Sequence, residues 1–272
     1  RMCAIAGIAR ASYYKWLNRE IPEAELLNEA IAEAVMSIHK EYPDKGPRRI
    51  RDDLLRDYGF DVSDRRVLRI CRVLGIKSTI KYERNSCTVN AKDPQHISEN
   101  ILKRNFRADA PNEKWLTDVT EFKYYEGSEK RKVYLSAILD LYDRRIVAYV
   151  IGDSNNNPLV YDTFKKAVTS YPDAHPLFHS DRGFQYTNAV FHEMLTEHGM
   201  TQSMSRVGKC IDNGPIEGFW GILKRECYYG KRFESREDIV DMIESYIYYY
   251  NNRRYQRQLG VVTPVEKYEQ YL

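Results

Sequence analysis

Three acidic residues occur in segments that place each of them on a different element of a predicted α/β domain. Asp118 lies inside the apolar run WLTDVTEF, where an unpaired charge within a strand is costly. Asp181 follows a short strand in HSDRGFQY, and Glu217 lies one turn into a helix in DNGPIEGFWGILKRE. Carboxylates held on separate rigid elements suit Mg²⁺ or Mn²⁺. The pattern predicts a site for two such ions, which act on phosphate esters when they are paired.

Each of these carboxylates also has an ordinary interpretation. A single Asp or Glu is most often a surface or capping residue, and the argument for a site rests on three of them occurring together. The main competitors are Asp140, Asp143 and Asp153, each of which lies near a predicted strand end. A turn or cap role is sufficient for these three.

Several neighbours of the acidic residues have two interpretations. His179 shares a strand face with Asp181, which suggests a metal ligand, but a hydrogen-bonded structural histidine is favoured. Ser180 has no His–Asp pair that would make it a nucleophile. Asn213 either steadies the carboxylate of Glu217 or caps its helix, and the cap is favoured.

Cationic and aromatic residues follow Glu217 towards the C-terminus. Lys224 lies two helical turns beyond Glu217 on the same face, within reach of a phosphate next to the ions. Trp220 and the run Tyr248–Tyr250 are candidates for stacking on unpaired bases, whereas the helical spacing of Tyr246, Tyr249 and Tyr250 favours the core or an interface. A basic cluster at the end of that helix is predicted to contact phosphates: Arg253, Arg254 and Arg257.

The elements that must position these residues follow from periodicity. Three β runs are predicted at 115–125, 132–143 and 145–153. Helices are predicted at 158–170 and 187–198, with short strands at 176–180 and 200–203, and further helices at 214–229, 235–254 and 263–271. Three strands in a meander followed by alternating helix and strand indicate a ribonuclease-H-like α/β fold. A doubly wound fold would also alternate, but the chain has no glycine-rich phosphate loop.

The region before this domain is predicted to be helical. Residues 23–41 form an amphipathic helix, and residues 45–76 fit a helix-turn-helix in which Pro47 begins the first helix and Ser63 caps the second. The predicted inward positions are Ile50, Leu54 and Leu55, then Val67, Ile70, Val73 and Leu74. The predicted outward, DNA-facing positions are Arg65, Arg66, Arg69 and Arg72. A plain helical hairpin with a solvated basic face is the alternative. Residues 4–17, with a turn at Gly7 and a helix from Ala11 or Ser12, resemble the end of another such unit.

Composition and charge support this division. The 272 residues include 43% hydrophobic and 30% charged side chains, which excludes a disordered chain, and no run is long enough to span a membrane. Five scattered cysteines indicate reduced thiols in the cytoplasm. The net charge is +6 over residues 1–107 and −3 over residues 108–272, as expected for a basic arm that holds a polyanion or merely has a solvated basic face. We therefore predict a helical DNA-binding region at 1–76, a basic linker at 77–112 and the catalytic core at 113–272.

The spacing of the acidic residues carries a family resemblance. With thirty-five residues between Asp181 and Glu217, the three motifs resemble the DDE signature of the retroviral-integrase superfamily. The segments KGPRRI and YYNNRRYQRQLGVVTPVEKY resemble the second-frame transposases of bacterial insertion sequences that have two overlapping frames. The resemblance covers nearly the whole chain. Unlike retroviral integrases, the chain has no His/His/Cys/Cys zinc module.

The resemblance implies a Mg²⁺- or Mn²⁺-dependent DNA transposase that cuts one element end and joins it beside the other end through a circular intermediate. Asp118, Asp181 and Glu217 would be the catalytic residues and the ligands of two ions, and Lys224 would contact DNA. The implied partners are double-stranded DNA, as terminal inverted repeats and target, and further copies of the chain. The implied location is the bacterial cytoplasm, at the nucleoid and not at a membrane. Because the chain starts with Arg1, we expect it to be part of a longer frameshift fusion.

Two other functions remain open on the sequence. A domesticated transposase would keep the fold and bind DNA as a regulator without cleaving it, although the intact triad argues against this. A ribonuclease H or a Holliday-junction nuclease would cut strands without joining them.

Overall fold

A computed structural model describes residues 2–80, 95–207 and 209–272. The chain divides into two compact units, Arg1–Thr79 and Ile80–Leu272. Residues 81–94 of the predicted basic linker lie outside the described residues. Among the helices that are described, none is long and apolar enough to cross a membrane.

In the part of the first unit that the structure describes, all regular secondary structure is helical. Its helices are α1 (Met2–Ile5), α2 (Arg10–Leu17), α3 (Glu23–Glu41), α4 (Pro47–Asp57) and α5 (Asp64–Val73). Pro47 occupies the first turn of α4, where its missing N–H costs no hydrogen bond. The Ser63 hydroxyl accepts a hydrogen bond from the backbone N–H of Arg66 at 3.3 Å, so the predicted cap of α5 is confirmed. The predicted helix at 23–41 is also confirmed.

Helices α3, α4 and α5 enclose the core of this unit. Ile31 of α3, Ile50 of α4 and Val67 of α5 are fully buried in it. The prediction that Val73 faces inward is wrong. The side chain of Val73 is 82% exposed because α5 ends at this residue, and Leu74 packs against the core instead.

The second unit contains a five-stranded mixed sheet. Its strands are β1 (Lys114–Glu126), β2 (Glu129–Asp140), β3 (Ile146–Gly152), β4 (Leu177–Ser180) and β5 (Thr201–Met204). The strand order is β3-β2-β1-β4-β5. β1 pairs antiparallel with β2, and β2 with β3, while β4 runs parallel to both β1 and β5. This is the predicted meander followed by alternating helix and strand.

Helices cover both faces of the sheet. They are α6 (Asn157–Ser170), α7 (Ala189–Glu197), α8 (Gly214–Leu223), α9 (Arg236–Asn252) and α10 (Pro264–Glu269). Because side chains alternate along a strand, Leu116 and Phe122 pack with α8 and α9, whereas Trp115 packs on the other face with α6 and α7. The long helix predicted at 214–229 is α8 followed by a π-helical turn over Lys224–Tyr228. The ribonuclease-H-like fold class is confirmed by this architecture.

Part of the predicted linker packs on the sheet. The Ser203 hydroxyl of β5 accepts hydrogen bonds from the backbone N–H groups of Ile101 and Leu102 at 3.0 and 3.1 Å. Leu102 is 2% exposed, and the backbone N–H of His96 donates to the carbonyl of Thr187 at 2.8 Å. Residues 95–112 are therefore continuous with the second unit.

Candidate active site

The pairing of β1 with β4 brings Asp118 and Asp181 together. In this parallel pair Leu116 stands opposite His179, and β4 ends at Ser180. Two residues beyond this pair are Asp118, within β1, and Asp181, just after the end of β4. Since side chains two residues apart on a strand project from the same face, the two carboxylates lie side by side where β4 stops and β1 continues.

Asp118 is held by a hydrogen bond from helix α8. Its Oδ2 atom accepts a hydrogen bond from the indole N–H of Trp220 at 2.9 Å. Burial raises the pKa of Asp118 well above its usual range, and the nearby charges of Asp181 and Glu217 raise it further. The hydrogen bonds from Trp220 and from the backbone of Val119 oppose this rise in pKa without cancelling it.

Asp181 is held by the loop that leaves β4. Its Oδ1 atom accepts a hydrogen bond from the backbone N–H of Gly183 at 2.8 Å. A Cβ atom on Gly183 would lie 2.9 Å from that same Oδ1 atom and 3.0 Å from Oε1 of Gln185. Burial raises the pKa of Asp181. The loop therefore needs glycine at position 183 to keep this carboxylate in place.

Glu217 is brought to the site by helix α8. Ile216, Phe219 and Leu223 of this helix are buried against the sheet, and Glu217 is half-buried beside them. Burial raises the pKa of Glu217, and the charge of Asp181 raises it further. The three carboxylates are therefore close enough for their charges to interact.

Asn213 ties the start of α8 to β1. Its Nδ2 atom donates a hydrogen bond to the carbonyl oxygen of Thr117 at 3.1 Å, and the side chain makes no cap hydrogen bond to α8. The predicted capping role of Asn213 is wrong, because the amide points to the strand and not to the first N–H groups of the helix. The contact fixes α8 next to Asp118.

In the part of the chain that the structure describes, residues 2–80, 95–207 and 209–272, the three carboxylates have no ion-pair partner. In the same ranges no three His, Cys, Asp or Glu side chains are close enough to surround one ion as they stand. The chemistry of the group nevertheless fits hard divalent cations, because these prefer carboxylate oxygen and would relieve the repulsion.

His179 is a structural residue. It is completely buried, with Nδ1 at 2.9 Å from the Ser203 hydroxyl and Nε2 at 3.1 Å from the Ser205 hydroxyl. Burial lowers the pKa of His179 to about 4. Both ring nitrogens are engaged, so the favoured structural interpretation is confirmed. The neighbouring Ser180 hydroxyl donates to the backbone carbonyl of Asp181 at 2.9 Å.

Asp140 and Asp143, the main competitors for the triad, form a separate buried cluster. Asp140 accepts hydrogen bonds from the backbone N–H of Asn112 at 2.6 Å and the indole of Trp115 at 3.2 Å. Asp143 accepts from the backbone N–H of Arg145 at 2.8 Å, and the Arg145 guanidinium lies 3.5 Å from its other oxygen. Both aspartates are 0% exposed. The predicted turn roles account for both residues.

Asp153, the third competitor, lies at the surface. Its side chain is 65% exposed and its Oδ1 atom pairs with Nε of Arg236 at 2.6 Å. This too is a structural contact.

The predicted DNA-contact residues near the C-terminus lie in different surroundings. The Lys224 ammonium lies 5.1 Å from the ring centroid of Phe122, at the start of the π-helical turn. Arg253 and Arg257 are exposed. Arg254 is only 13% exposed in its side chain, and its Nη2 atom pairs with Glu226 at 2.8 Å. Arg254 thus has an intramolecular role.

The aromatic residues follow the core interpretation. Tyr246 and Tyr250 are 6% and 3% exposed and pack in the core beneath α8 and α9, as predicted. Trp220 is 6% exposed, so the idea that its ring stacks on bases is wrong for this conformation. Tyr248 is 63% exposed.

The four arginines predicted to face DNA on α5 are not equivalent. Arg65, Arg69 and Arg72 are exposed. Arg66 is half-buried, and its Nε atom donates a hydrogen bond to Oδ1 of Asn28 on α3 at 2.9 Å. Arg66 therefore links two helices of the first unit.

Gly183 and Tyr186 are not among the residues predicted from the sequence, and for Trp220 the sequence suggested base stacking and not the hydrogen bond to Asp118. The pattern Asp-x-Gly at 181–183 is a turn signal that pointed to Gly183. A buried tryptophan needs an acceptor for its N–H, which pointed to a polar partner for Trp220 but not to Asp118. Tyr186 is 1% exposed with its hydroxyl 3.3 Å from that of Thr117, and no local signal indicated this contact.

Known protein families match segments of both units of the chain. A sequence model described as an integrase core domain matches residues 108–210, and a second one of the same description matches residues 217–272. A model described as an HTH-like domain matches residues 26–84.

Individual relatives extend this similarity. An uncharacterized transposase-like protein of Haemophilus influenzae is 43% identical over 204 residues, covering 75% of this chain and 92% of the relative. The transposase InsF for insertion sequence IS3A of Escherichia coli is 28% identical over 98% of this chain and 92% of its own length.

A solved structure shares the fold. The chain is similar to one in the cryo-electron-microscopy structure of a simian T-cell lymphotropic virus intasome in complex with the PP2A regulatory subunit B56 gamma. The TM-score is 0.51 at 15% identity, and the match covers 82% of this chain and 74% of that chain.

Proposed function

Because the chain belongs to the insertion-sequence transposases that carry an integrase core domain, we propose that it cuts and joins DNA strands at the ends of an insertion sequence. In this proposal Asp118, Asp181 and Glu217 are the catalytic residues, and they hold two Mg²⁺ or Mn²⁺ ions. Membership of this family makes the chain a transposase or integrase of the polynucleotidyl-transferase class.

One observation carries the proposal. Three carboxylates from β1, from the end of β4 and from α8 lie close together and have no ion-pair partner among the described residues. Burial raises the pKa of each, the charge of Asp181 further raises the pKa values of Asp118 and Glu217, and the charge of Glu217 also raises that of Asp118. Unpaired, mutually repelling carboxylates are a cost to folding unless they bind something positive. A pair of divalent ions on a DNA phosphate supplies that charge.

The carboxylates and their neighbours divide the work. When bound, divalent ions activate a water or a DNA 3′-hydroxyl and stabilise the oxygen that leaves the phosphate. Asp118 offers its carboxylate from the rigid central strand, and Asp181 offers its own from the loop fixed by Gly183. Glu217 approaches from α8, and Lys224, in the π-helical turn that follows α8, would contact a DNA phosphate.

The first unit supplies DNA binding in this proposal. The exposed arginines of α5, Arg65, Arg69 and Arg72, suit a recognition helix in the major groove. Arg253, directly after α9, and Arg257, in the 3-10 helical turn that follows, are exposed and add candidate phosphate contacts. The proposed partners are double-stranded DNA, as inverted repeats and target, and further copies of this chain assembled on it, in the bacterial cytoplasm.

A strand-transfer assay tests the proposal. The full chain is incubated with labelled DNA that flanks its gene, with Mg²⁺ or Mn²⁺, and the products are separated by size. We expect nicked ends and joined strands, and both should be absent with Glu217→Gln while binding of the same DNA in a gel-shift assay is retained.

The alternatives predict other products. Nicked ends without any joined strands would favour a nuclease of the ribonuclease H or Holliday-junction type. DNA binding without metal-dependent nicking would favour a regulator. Full activity of Glu217→Gln would remove the proposed triad.

A further inference from the structure

Helix α8 is attached to strand β1 on both sides of Glu217. Four residues before Glu217, Asn213 donates to the carbonyl of Thr117 at 3.1 Å. Three residues after it, Trp220 donates to the carboxylate of Asp118 at 2.9 Å. The helix that carries one acidic residue is thus bonded to the strand that carries another, at two consecutive strand positions.

The acceptor of the Trp220 hydrogen bond is the Asp118 carboxylate, a proposed metal ligand, whereas the acceptor of the Asn213 hydrogen bond is a backbone carbonyl. An indole offers a single N–H donor, whose direction is set by the position of the ring. The ring of Trp220 is 6% exposed and packs beside Phe219, with 5.0 Å between ring centroids. The core therefore aims this donor at Oδ2 of Asp118.

A fixed donor restricts what the carboxylate can do. A carboxylate has two oxygens that can accept hydrogen bonds or bind a cation. The hydrogen bonds from Trp220 to Oδ2 and from the backbone of Val119 restrict the rotation of the Asp118 carboxylate. Groups that hold a metal ion in this way usually depend on such an outer partner, whose loss costs about 10- to 100-fold in metal affinity.

We propose that Trp220 is a positioning residue for the divalent-ion site, which orients the Asp118 carboxylate through its indole N–H and thereby couples α8 to β1. This inference rests on the proposed function, since it assumes that Asp118 binds a divalent ion. Trp220 itself contacts neither the ion nor DNA.

The same domain contains a matched control. Trp115, 0% exposed, also donates its indole N–H to an aspartate, Asp140, at 3.2 Å. That aspartate belongs to the buried cluster outside the triad. Trp220→Phe and Trp115→Phe thus each remove one indole–carboxylate hydrogen bond from the same sheet and retain most of the aromatic packing.

The test measures Mn²⁺ binding to the full chain by titration calorimetry without DNA. We expect Trp220→Phe to raise the dissociation constant for Mn²⁺ by about 10- to 100-fold, and Trp115→Phe to change it by less than about twofold. Circular dichroism checks that each variant is folded. Unchanged Mn²⁺ affinity in Trp220→Phe, with Asp118→Asn losing binding, would overturn the inference and leave the proposed function standing. Absence of Mn²⁺ binding by the unchanged chain would overturn both.

A second measurement leaves Trp220 in place. The chain has three tryptophans, so the variant Trp16→Phe/Trp115→Phe retains Trp220 alone. Because its N–H is bonded to Asp118, we expect its fluorescence to shift saturably as Mg²⁺ is added, with the shift abolished by Asp118→Asn. A fluorescence spectrum that does not respond to Mg²⁺, in a protein that binds Mn²⁺ normally, would contradict the coupling.

Discussion

Asp212 and Glu217 are five residues apart in the sequence, yet their surroundings shift the carboxyl pKa in opposite directions. Asp212 is completely buried and accepts hydrogen bonds from Arg104 Nε at 2.6 Å, Arg206 Nε at 2.8 Å and Asn100 Nδ2 at 2.9 Å. The hydrogen bonds from Arg206, with those from Arg104, hold the pKa of Asp212 well below its usual range. Glu217 has no such partners among the described residues, and its pKa is raised.

A lowered pKa with ion-pair partners is typical of a structural carboxylate, whereas a raised pKa without such partners is typical of a carboxylate that binds a ligand. Asp212 ties the segment that contains Arg104 to the start of α8, and its charge is satisfied within the protein. The charge of Asp181 instead raises the pKa values of Asp118 and Glu217 at the end of β4, and no described residue forms an ion pair with any of the three. Carboxylates with raised pKa values and no ion-pair partner are typical of functional sites, where a bound ligand supplies the opposite charge.

The largest predicted effect is on catalysis. Replacing Asp118 by Asn should lower the rate of strand cleavage by about 10⁴-fold or more, because a ligand of the reacting phosphate's ions is lost. DNA binding and the melting temperature should not fall, since the variant removes a repelling charge. Cleavage and gel-shift assays with calorimetry measure these quantities. If Asp118→Asn cleaved normally or failed to fold, Asp118 would not differ from Asp212 in serving catalysis and not stability.

The second prediction concerns Asp143, which has an arginine nearby, as Asp212 does, and a raised pKa, as Glu217 does. Although Arg145 is nearby, burial and then the charge of Asp140 raise the pKa of Asp143 to about 7 from an ordinary 3.8. The folded protein therefore holds this proton more tightly than the unfolded chain does. The stability associated with the proton is complete below pH 3.8 and is lost as the pH rises through about 7.

Asp143→Asn should remove the fall in stability that accompanies ionisation of Asp143 as the pH rises. The free energy of unfolding of the variant, relative to the unchanged protein, should increase between pH 4 and pH 8 by at most about 4 kcal/mol. Denaturant titrations at several pH values measure it, and Asp153→Asn, at an exposed position, is the control. A constant difference across this range would mean that Asp143 is ionised like an ordinary carboxylate.

The third prediction is the counterpart at Asp212. Asp212→Asn should lower the free energy of unfolding by about 2–3 kcal/mol, a value moderated because both arginines are partly in solvent. Cleavage by the folded fraction should fall far less than in Asp118→Asn. Denaturant unfolding combined with activity per folded molecule distinguishes the two. A variant as stable as the parent but inactive would place Asp212 with the catalytic group.

The smallest predicted effect concerns glycine. A Cβ on Gly183 would approach Oδ1 of Asp181 to 2.9 Å, whereas on Gly218, in α8 next to Glu217, it would meet nothing within 4 Å. Gly183→Ala should therefore slow cleavage about tenfold by displacing Asp181. Gly218→Ala should raise stability by about 0.5–1 kcal/mol and leave the rate unchanged. Equal rates for the two variants would show that the Asp181 loop adapts.

Local features of the fold could be predicted from the sequence because local contacts produce them. The cap at Ser63, the start at Pro47 and the strand around Asp118 each follow from a few neighbouring residues. Asp118, Asp181 and Glu217 are predicted from spacing that matches a known pattern. The pairing of β1 with β4 brings the two aspartates together, and α8 adds Glu217.

Features that depend on distant partners were beyond the sequence. Arg254 belongs to a basic cluster in the sequence, but Glu226, twenty-eight residues earlier, holds it inside the protein. Arg66 is similarly engaged with Asn28. Asn213 precedes a helix as a cap would, yet its amide donates a hydrogen bond to the carbonyl of Thr117 in β1. Periodicity indicates which face is buried but not which polar atoms meet there.

The most direct test of the central claim is thermal unfolding with and without Mn²⁺. The unchanged chain is compared with the variant Asp118→Asn/Asp181→Asn/Glu217→Gln. The account predicts that, without metal, the variant melts at the same or a higher temperature, because the repulsion between the carboxylates is gone. It also predicts that Mn²⁺ at 100 times its dissociation constant stabilises only the unchanged chain, by about 2.7 kcal/mol. A destabilised variant together with an unchanged chain that does not respond to Mn²⁺ would contradict the claim.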